Sequence, residues 1–202
     1  MLTRLFMVAA MTMAPGAALF EAVKASKTPI DPETGREVQC DLPPSQHMRN
    51  IRGKNGQGCC VYASSEMMSR YMNFPLLTGV LAEGLGGASA SDVERMYKRK
   101  APGFSDYVQA TGKHSVPHMD WAMRTRRLCC VTVDGNHMVC LLHLDPEGTP
   151  NARACLLDNN SPQTWLWMPR AEFLKRHAVG GPWSHSILLS PPPPIPVVSK
   201  GA

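Results

Sequence analysis

The chain has few aromatics, little charge and no long apolar run, and each shortage narrows what it can be. Phe, Trp and Tyr make up 6% of the 202 residues and charged residues 18%, against 44% hydrophobic. That balance is too apolar for a disordered chain, and 13 Met can fill the core that so few aromatics leave open. No apolar run reaches the roughly 18 residues that span a bilayer, so no integral membrane segment is expected in the mature chain. Glycine follows no three-residue period, which excludes a collagen, and no internal repeat is visible. Cys-x-x-Cys is missing, and with it the strongest zinc signature; no metal or cofactor is expected. Lys and Arg exceed Asp and Glu by only 21 to 16, a net +5. An excess of this size supports solubility rather than announcing a nucleic-acid partner. The basic clusters Lys98-Arg99-Lys100 and Arg124, Arg126, Arg127 each abut a helical pattern and suit the negative end of a helix dipole.

What is there begins with cysteine. Cys40, Cys59, Cys60, Cys129, Cys130, Cys140 and Cys155 are odd in number and include two vicinal pairs, which is not a disulfide framework and leaves at least one thiol free. The length gives a prior of one domain. Residues 1–18 carry Arg4, an apolar stretch from Leu5 to Ala14 and the small residues Gly16-Ala17-Ala18. They read as a short secretory signal and a secreted or periplasmic location, with a frayed helix as the other reading. Residues 19–45 are polar, contain proline and look like an extended lead-in. Residues 190–202, with Pro191–Pro194 and Pro196, are a proline-rich disordered tail that cannot join a central sheet. The domain proper is residues 46–189.

Within it, Val61, Ser64, Met68 and Tyr71 share one face of a helix expected from Cys60 to about Met72, stopped by Asn73-Phe74-Pro75. Ser91-Asp92-Val93-Glu94 is a capping box that predicts a second helix to about Arg99. Pro117 opens a third, to Arg126. His114 and His118 have metal-ligand spacing, but Pro117 between them argues against a continuous helix, and no third ligand is near. His47, His143, His177 and His185 show no partner pattern. Strands are expected at 128–133, 137–144, 152–158, 164–168 and 183–189, with a short helix opening at Pro169. Trp165 and Trp167 alternate along the fourth and cover one face of a sheet. The layout predicts an α+β fold, with N-terminal helices packed on one side of a C-terminal antiparallel sheet.

A cysteine at a helix start meets backbone N–H groups and a positive dipole end, which lower its pKa and populate the nucleophilic thiolate. Cys60 is so placed, after the loop of Gly53, Gly56 and Gly58. Cys59, about 100° away around the helix, points elsewhere, and the cysteines after residue 128 lie in strands as core fillers. A thiolate needs a base, and the base an orienting partner. His137 opens a strand beside the Asp134-Gly135 turn, where an imidazole can face a cleft. If the next strand pairs with it as a hairpin, the residue opposite His137 falls among Asp158, Asn159 and Asn160. A one-residue slip decides which of them reaches the ring.

Gln57-Gly58-Cys59-Cys60-Val61-Tyr62-Ala63-Ser64 resembles the active-site entry of papain-like cysteine peptidases. His137-Met138-Val139, Cys155 to Pro162 and Glu172-Phe173-Leu174 resemble the bacteriocin-processing branch more closely, and the likeness spans roughly residues 46–189. It implies a papain-like fold and a cysteine peptidase acting on a peptide or protein substrate. Cys60 would be the nucleophile, His137 the base and Asp158 the orienter, with Asn159 or Asn160 as substitutes. The family's oxyanion-hole Gln, about six residues before the Cys, falls on Lys54 here. Gln57 and Asn50 are the candidates in its place, with Asn55 a further amide nearby, and Val61 stands where an aromatic usually follows the nucleophile. Amidase or transglutaminase chemistry would use the same triad, and an inactive peptidase-like binding module is the reading from a different class.

Overall fold

Five of the six strands come from segments rich in Val, Leu, Cys and Trp, and they carry the core. The computed structural model describes residues 28–74, 77–100, 107–181 and 184–189. The expected signal, the first part of the lead-in, Pro75 and the proline-rich tail lie outside the described residues. The strands are β1 (Tyr107–Thr111), β2 (Cys129–Val133), β3 (His137–Leu144), β4 (Arg153–Leu157), β5 (Trp165–Pro169) and β6 (His185–Leu189). They form one antiparallel sheet in the order β1-β6-β2-β3-β4-β5. The helices are α1 (Cys60–Tyr71), α2 (Val80–Glu83), α3 (Ala90–Lys100), α4 (Ser115–Arg124) and α5 (Arg170–Ala178). The fold is α+β.

The helices do not all lie on one side of the sheet, which corrects the sequence expectation. Cys130 and Cys140 face α1: the Cys130 sulfur is 3.8 Å from that of Met68, and the Cys140 sulfur 3.7 Å from the Ser64 carbonyl. Successive strand residues point to opposite faces, so Val131 points away from α1, as does its register partner Ser186. Ser186 meets His118 of α4 at 2.7 Å, and Ser115 at the start of α4 meets His177 of α5 at 2.6 Å. So α1 covers one face, α4 and α5 the other. The reason is visible in β2, β3 and β4, which are buried almost throughout; a strand buried on both faces needs cover on both. Nor do all the strands follow the helices, because β1 precedes α4 and pairs with β6 at one edge.

Two helix starts also differ. The reciprocal cap of α3 is made by Ser89 and Asp92: Ser89 N–H reaches the Asp92 carboxylate at 2.9 Å, and Asp92 N–H reaches the Ser89 hydroxyl at 3.3 Å. The box therefore sits two residues ahead of Ser91–Glu94. α4 begins at Ser115, so Pro117 stands inside its first turn, where a missing N–H breaks no helical bond. His114 is only the residue preceding α4, and the Nδ1 of His118 is engaged by Ser186.

The described part of the lead-in, from Thr28, packs on the sheet as an extended strap. Val38, Cys40 and Leu42 are buried, and Cys40 N–H bonds the Leu142 carbonyl at 2.9 Å. Ion pairs fasten it: the fully buried Asp31 lies 3.1 Å from Arg153, and Arg36 pairs with Asp145. Trp165 and Trp167 lie on the same face, against His47 and His143. The basic clusters are engaged at helix ends, Arg99 and Lys100 with Glu83, and Arg127 stacked 4.1 Å over Trp121. All seven cysteines are free thiols, six buried and Cys60 half-buried. Among the described residues, no helix is long and apolar enough to cross a membrane.

Candidate active site

The loop before α1 is held by a second loop. Asn55 N–H bonds the Leu85 carbonyl at 2.9 Å and Gly87 N–H the Gly58 carbonyl at 2.8 Å. The backbones approach so closely that a Cβ on Gly53 would lie 2.2 Å from the Gly86 nitrogen. Glycine is required there by contact, not by flexibility. This double loop delivers the chain into α1 with Cys59 as the residue before the helix and Cys60 as its first. Cys59 turns into a small cluster with Ala63 and Leu81, and burial pushes its thiol up. Cys60 turns the other way, into a cleft.

His137 is the first residue of β3, set by a tight turn whose Asp134 and Gly135 both have positive φ, 53° and 80°. Arg176 of α5 pins that turn through two bonds to the Asp134 carboxylate. Asp158 follows β4 immediately. Its Oδ1 lies 2.7 Å from His137 Nε2 and also accepts Asn160 N–H at 2.8 Å. With Nε2 so engaged, Nδ1 is the ring nitrogen left to serve Cys60, which lines the same cleft.

Electrostatics follow from these contacts. Burial pushes the Cys60 thiol up, but the His137 bond, the Met138 and Val61 N–H groups and the charge of the imidazole outweigh it, so its pKa is lowered. Burial pulls His137 down, but its bonds to Cys60 and Asp158 and their charges raise it to about 9. Both shifts favour one state, a thiolate beside an imidazolium. The core thiols go the other way: burial raises Cys40 to about 12 and lifts Cys129, Cys130 and Cys155 as well.

The cleft, about 510 Å³, is lined by Asn50, Gln57, Gly58, Cys60, Gly87, His137 and Asn160 among others. A side pocket of about 240 Å³ shares Val61, Ala88, Asn136 and His137 with it and runs to His185 and Ile187. Both oxyanion candidates are therefore at the cleft. Gln57 is exposed and lies over Gly87, and the Asn50 amide donates to Asn160 Oδ1 at 2.8 Å. Asn55 instead ties the two loops together, donating to the Gly86 carbonyl and accepting Gln57 N–H.

Of the two substitute orienters, Asn160 lies beside the imidazole, its amide nitrogen 3.3 Å from Nε2. Asn159 does not. It is fully buried and turned to α1, with Nδ2 3.1 Å from the Cys60 carbonyl, 2.9 Å from the Ser64 hydroxyl and 2.8 Å from the Met138 carbonyl. Ser64 and Asn136 escaped the sequence reading as site residues; the one signal for Ser64 was a hydroxyl one helical turn beyond the nucleophile on a buried face. The remaining histidines do have partners, against expectation: His47 bonds the Pro162 and Leu42 carbonyls, His143 bonds Asp145, and His177 bonds Ser115 and the Thr132 carbonyl. Among the described residues, no group of three His, Cys, Asp or Glu could hold a metal ion. No family model, curated protein or solved structure matches the chain.

Proposed function

We propose that the protein is a papain-like cysteine hydrolase that cleaves peptide or amide bonds through Cys60, His137 and Asp158. The carrying observation is the position of His137, in the same cleft as the Cys60 thiol and bonded through Nε2 at 2.7 Å to the Asp158 carboxylate. The Cys60 thiolate attacks the substrate carbonyl carbon, and the oxygen becomes an oxyanion. Helix-start N–H groups and the side-chain amide of Gln57 or Asn50 are suited to hold that charge. The His137 imidazolium gives its proton to the leaving amine as the C–N bond breaks, leaving a thioester on Cys60. Neutral His137 then takes a proton from water, whose oxygen attacks the thioester, and the thiolate departs as the acid product forms. Asp158 keeps the ring oriented and stabilises its charge. An amine in place of that water would give acyl transfer on the same residues.

The cleft and its side pocket are suited to a stretch of peptide backbone with one side chain anchored. Secretion or a periplasmic location accords with the N-terminal segment, and the intact mass of the exported protein tests it. Lys54 and Val61, where the resembling family has a glutamine and an aromatic, favour the second reading, an inactive peptide-binding module. The test is labelling with iodoacetamide or an epoxide probe at pH 6, with and without Cys60→Ala, alongside cleavage of a mixed peptide library. Fast labelling confined to Cys60, with cleavage lost in the variant, supports the hydrolase. An unreactive Cys60 in a protein that still retains peptides selects the module.

A further inference from the structure

Three consecutive residues after β4 hold three different parts of the candidate site. Asp158 binds the imidazole. The Asn160 side chain accepts from Asn50, a neighbour in the cleft lining. Between them the Asn159 side chain reaches neither, and on the proposed function above it has no role. Yet it is fully buried, and its backbone carbonyl accepts Asn50 N–H at 2.7 Å. Its side chain faces two carbonyl oxygens, those of Cys60 and Met138. Carbonyls only accept, so the amide nitrogen must be the atom turned toward them. The Ser64 hydroxyl completes the junction, accepting from Asn159 and donating to the Met138 carbonyl at 3.0 Å. The amide oxygen, in contrast, is buried without a partner among the described residues. An unpaired buried oxygen costs stability, so this is not the residue that packing alone would favour.

We propose that Asn159 is a positioning residue: its side-chain amide clamps the first turn of α1, and with it the Cys60 sulfur, against the start of the strand that carries His137. The inference rests on the hydrolase reading and deepens it. The two backbone groups it joins belong to the nucleophile itself and to the residue after the base. The groups that hold the Cys60 thiol's pKa down are His137 and the N–H of Met138, both on β3, and the N–H of Val61 on α1. Hydrogen bonds weaken steeply with distance and angle. A small slide of α1 along β3 would therefore carry the sulfur away from both β3 groups together and destabilise the thiolate. Asp158 fixes the ring but has no hold on the helix; Asn159 fixes the helix against the strand.

The test is the pH dependence of iodoacetamide alkylation at Cys60 in the full chain, read with the thermal midpoint, for the native protein, Asn159→Ala and Asn159→Ser. In Asn159→Ala the alkylation midpoint should move up by about one pH unit toward an ordinary thiol, with about a tenfold loss of rate at pH 6. Asn159→Ser keeps one donor and should fall between. A merely structural residue would lower the thermal midpoint and leave the alkylation profile of the folded protein where it was; that result overturns the proposal. If Asn159→Ala does not fold, Asn159→Ser decides on the same criterion. If the native protein itself shows an ordinary thiol profile at Cys60, the hydrolase reading has failed first, and the two failures are distinct.

Discussion

β3 carries a histidine–aspartate pair near each end, and the two behave oppositely. At its start, His137 and Asp158 are 2.7 Å apart; six residues on, His143 and Asp145 are 3.1 Å apart. The chemistry of the two pairs is identical on paper. His137 has a thiol on its other side, and its pKa is raised to about 9. His143 is lowered: burial dominates, and the charge of Arg36 works against the pull of Asp145. Asp145 is shared, because Arg36 and the Arg153 N–H also hold it. One pair is poised to carry a proton charge in a cleft, and the other fastens the N-terminal strap. A histidine–carboxylate contact thus becomes a candidate base only through what lies beyond it.

Substitutions at the two ends should separate these roles. The largest effect is expected from His137→Ala, which should slow Cys60 alkylation at pH 6 about a hundredfold, while His143→Ala leaves that rate within about twofold. Equal losses in the two variants, measured by mass spectrometry of the labelled peptide, would erase the distinction. The aspartates come next. Asp145→Ala strips a buried carboxylate from Arg36 and should cost about 3 kcal/mol of stability in urea unfolding, with thiol reactivity kept. Asp158→Ala, at a strand end, should slow alkylation about tenfold and cost less stability; a reversal of that pattern would exchange the roles of the two pairs.

Acid and base should also act on opposite ends of β3. His137 is raised above its unfolded value of about 6.5, so the stability it contributes is complete below that value and lost as pH rises through about 9. On the proposed hydrolase reading, turnover should decline over the same basic range, because the imidazolium needed as the acid disappears. His143 is lowered, so folding resists its protonation, and the stability tied to it is lost as pH falls below about 6.5. Thermal midpoints across pH 4–10 should therefore show an acid limb that His143→Gln reduces in part, since burial lowers His118, His177 and His185 as well, and a basic limb that it does not touch. The smallest effect is expected at Cys59. Cys59→Ala should lower stability by about 1 kcal/mol and leave Cys60 labelling unchanged; loss of labelling would mean that the wrong member of the vicinal pair has been chosen.

The hairpin of β3 and β4 is legible in the sequence because two apolar runs flank a proline–glycine turn, and Cys60 is legible because glycines precede a helical pattern. The choice among Asp158, Asn159 and Asn160 is not. A register shift between Leu141 and His143 changes the pairing by one residue, and nothing in the residues around Leu142 marks it. The two-sided cover of the sheet was legible in the unbroken apolar run of β3, since a strand covered on one face alternates, but that run does not say which helices lie on which face. The strap was missed as core because Val38, Cys40 and Leu42 alternate over only five residues among prolines and charges. The function of Asn159 was hidden for a simpler reason: a buried amide and an exposed one read alike until the backbone oxygens around it are placed.

The backbone contact between the two loops also decides how this cleft can be re-engineered. At Gly53 any side chain would strike backbone, and at Gly86 a Cβ would sit 2.4 Å from the Gln57 carbonyl oxygen; neither obstacle can swing aside. At Gly87 the obstruction is the tip of the Gln57 side chain at 1.8 Å, although a φ of 57° still taxes any replacement. The approach of the two loops behind the cleft is therefore fixed by the main chain and is closed to randomisation. A library reshaping the cleft would find its working freedom at the lining residues Val61, Ala88 and Asn136, which the cleft shares with its side pocket.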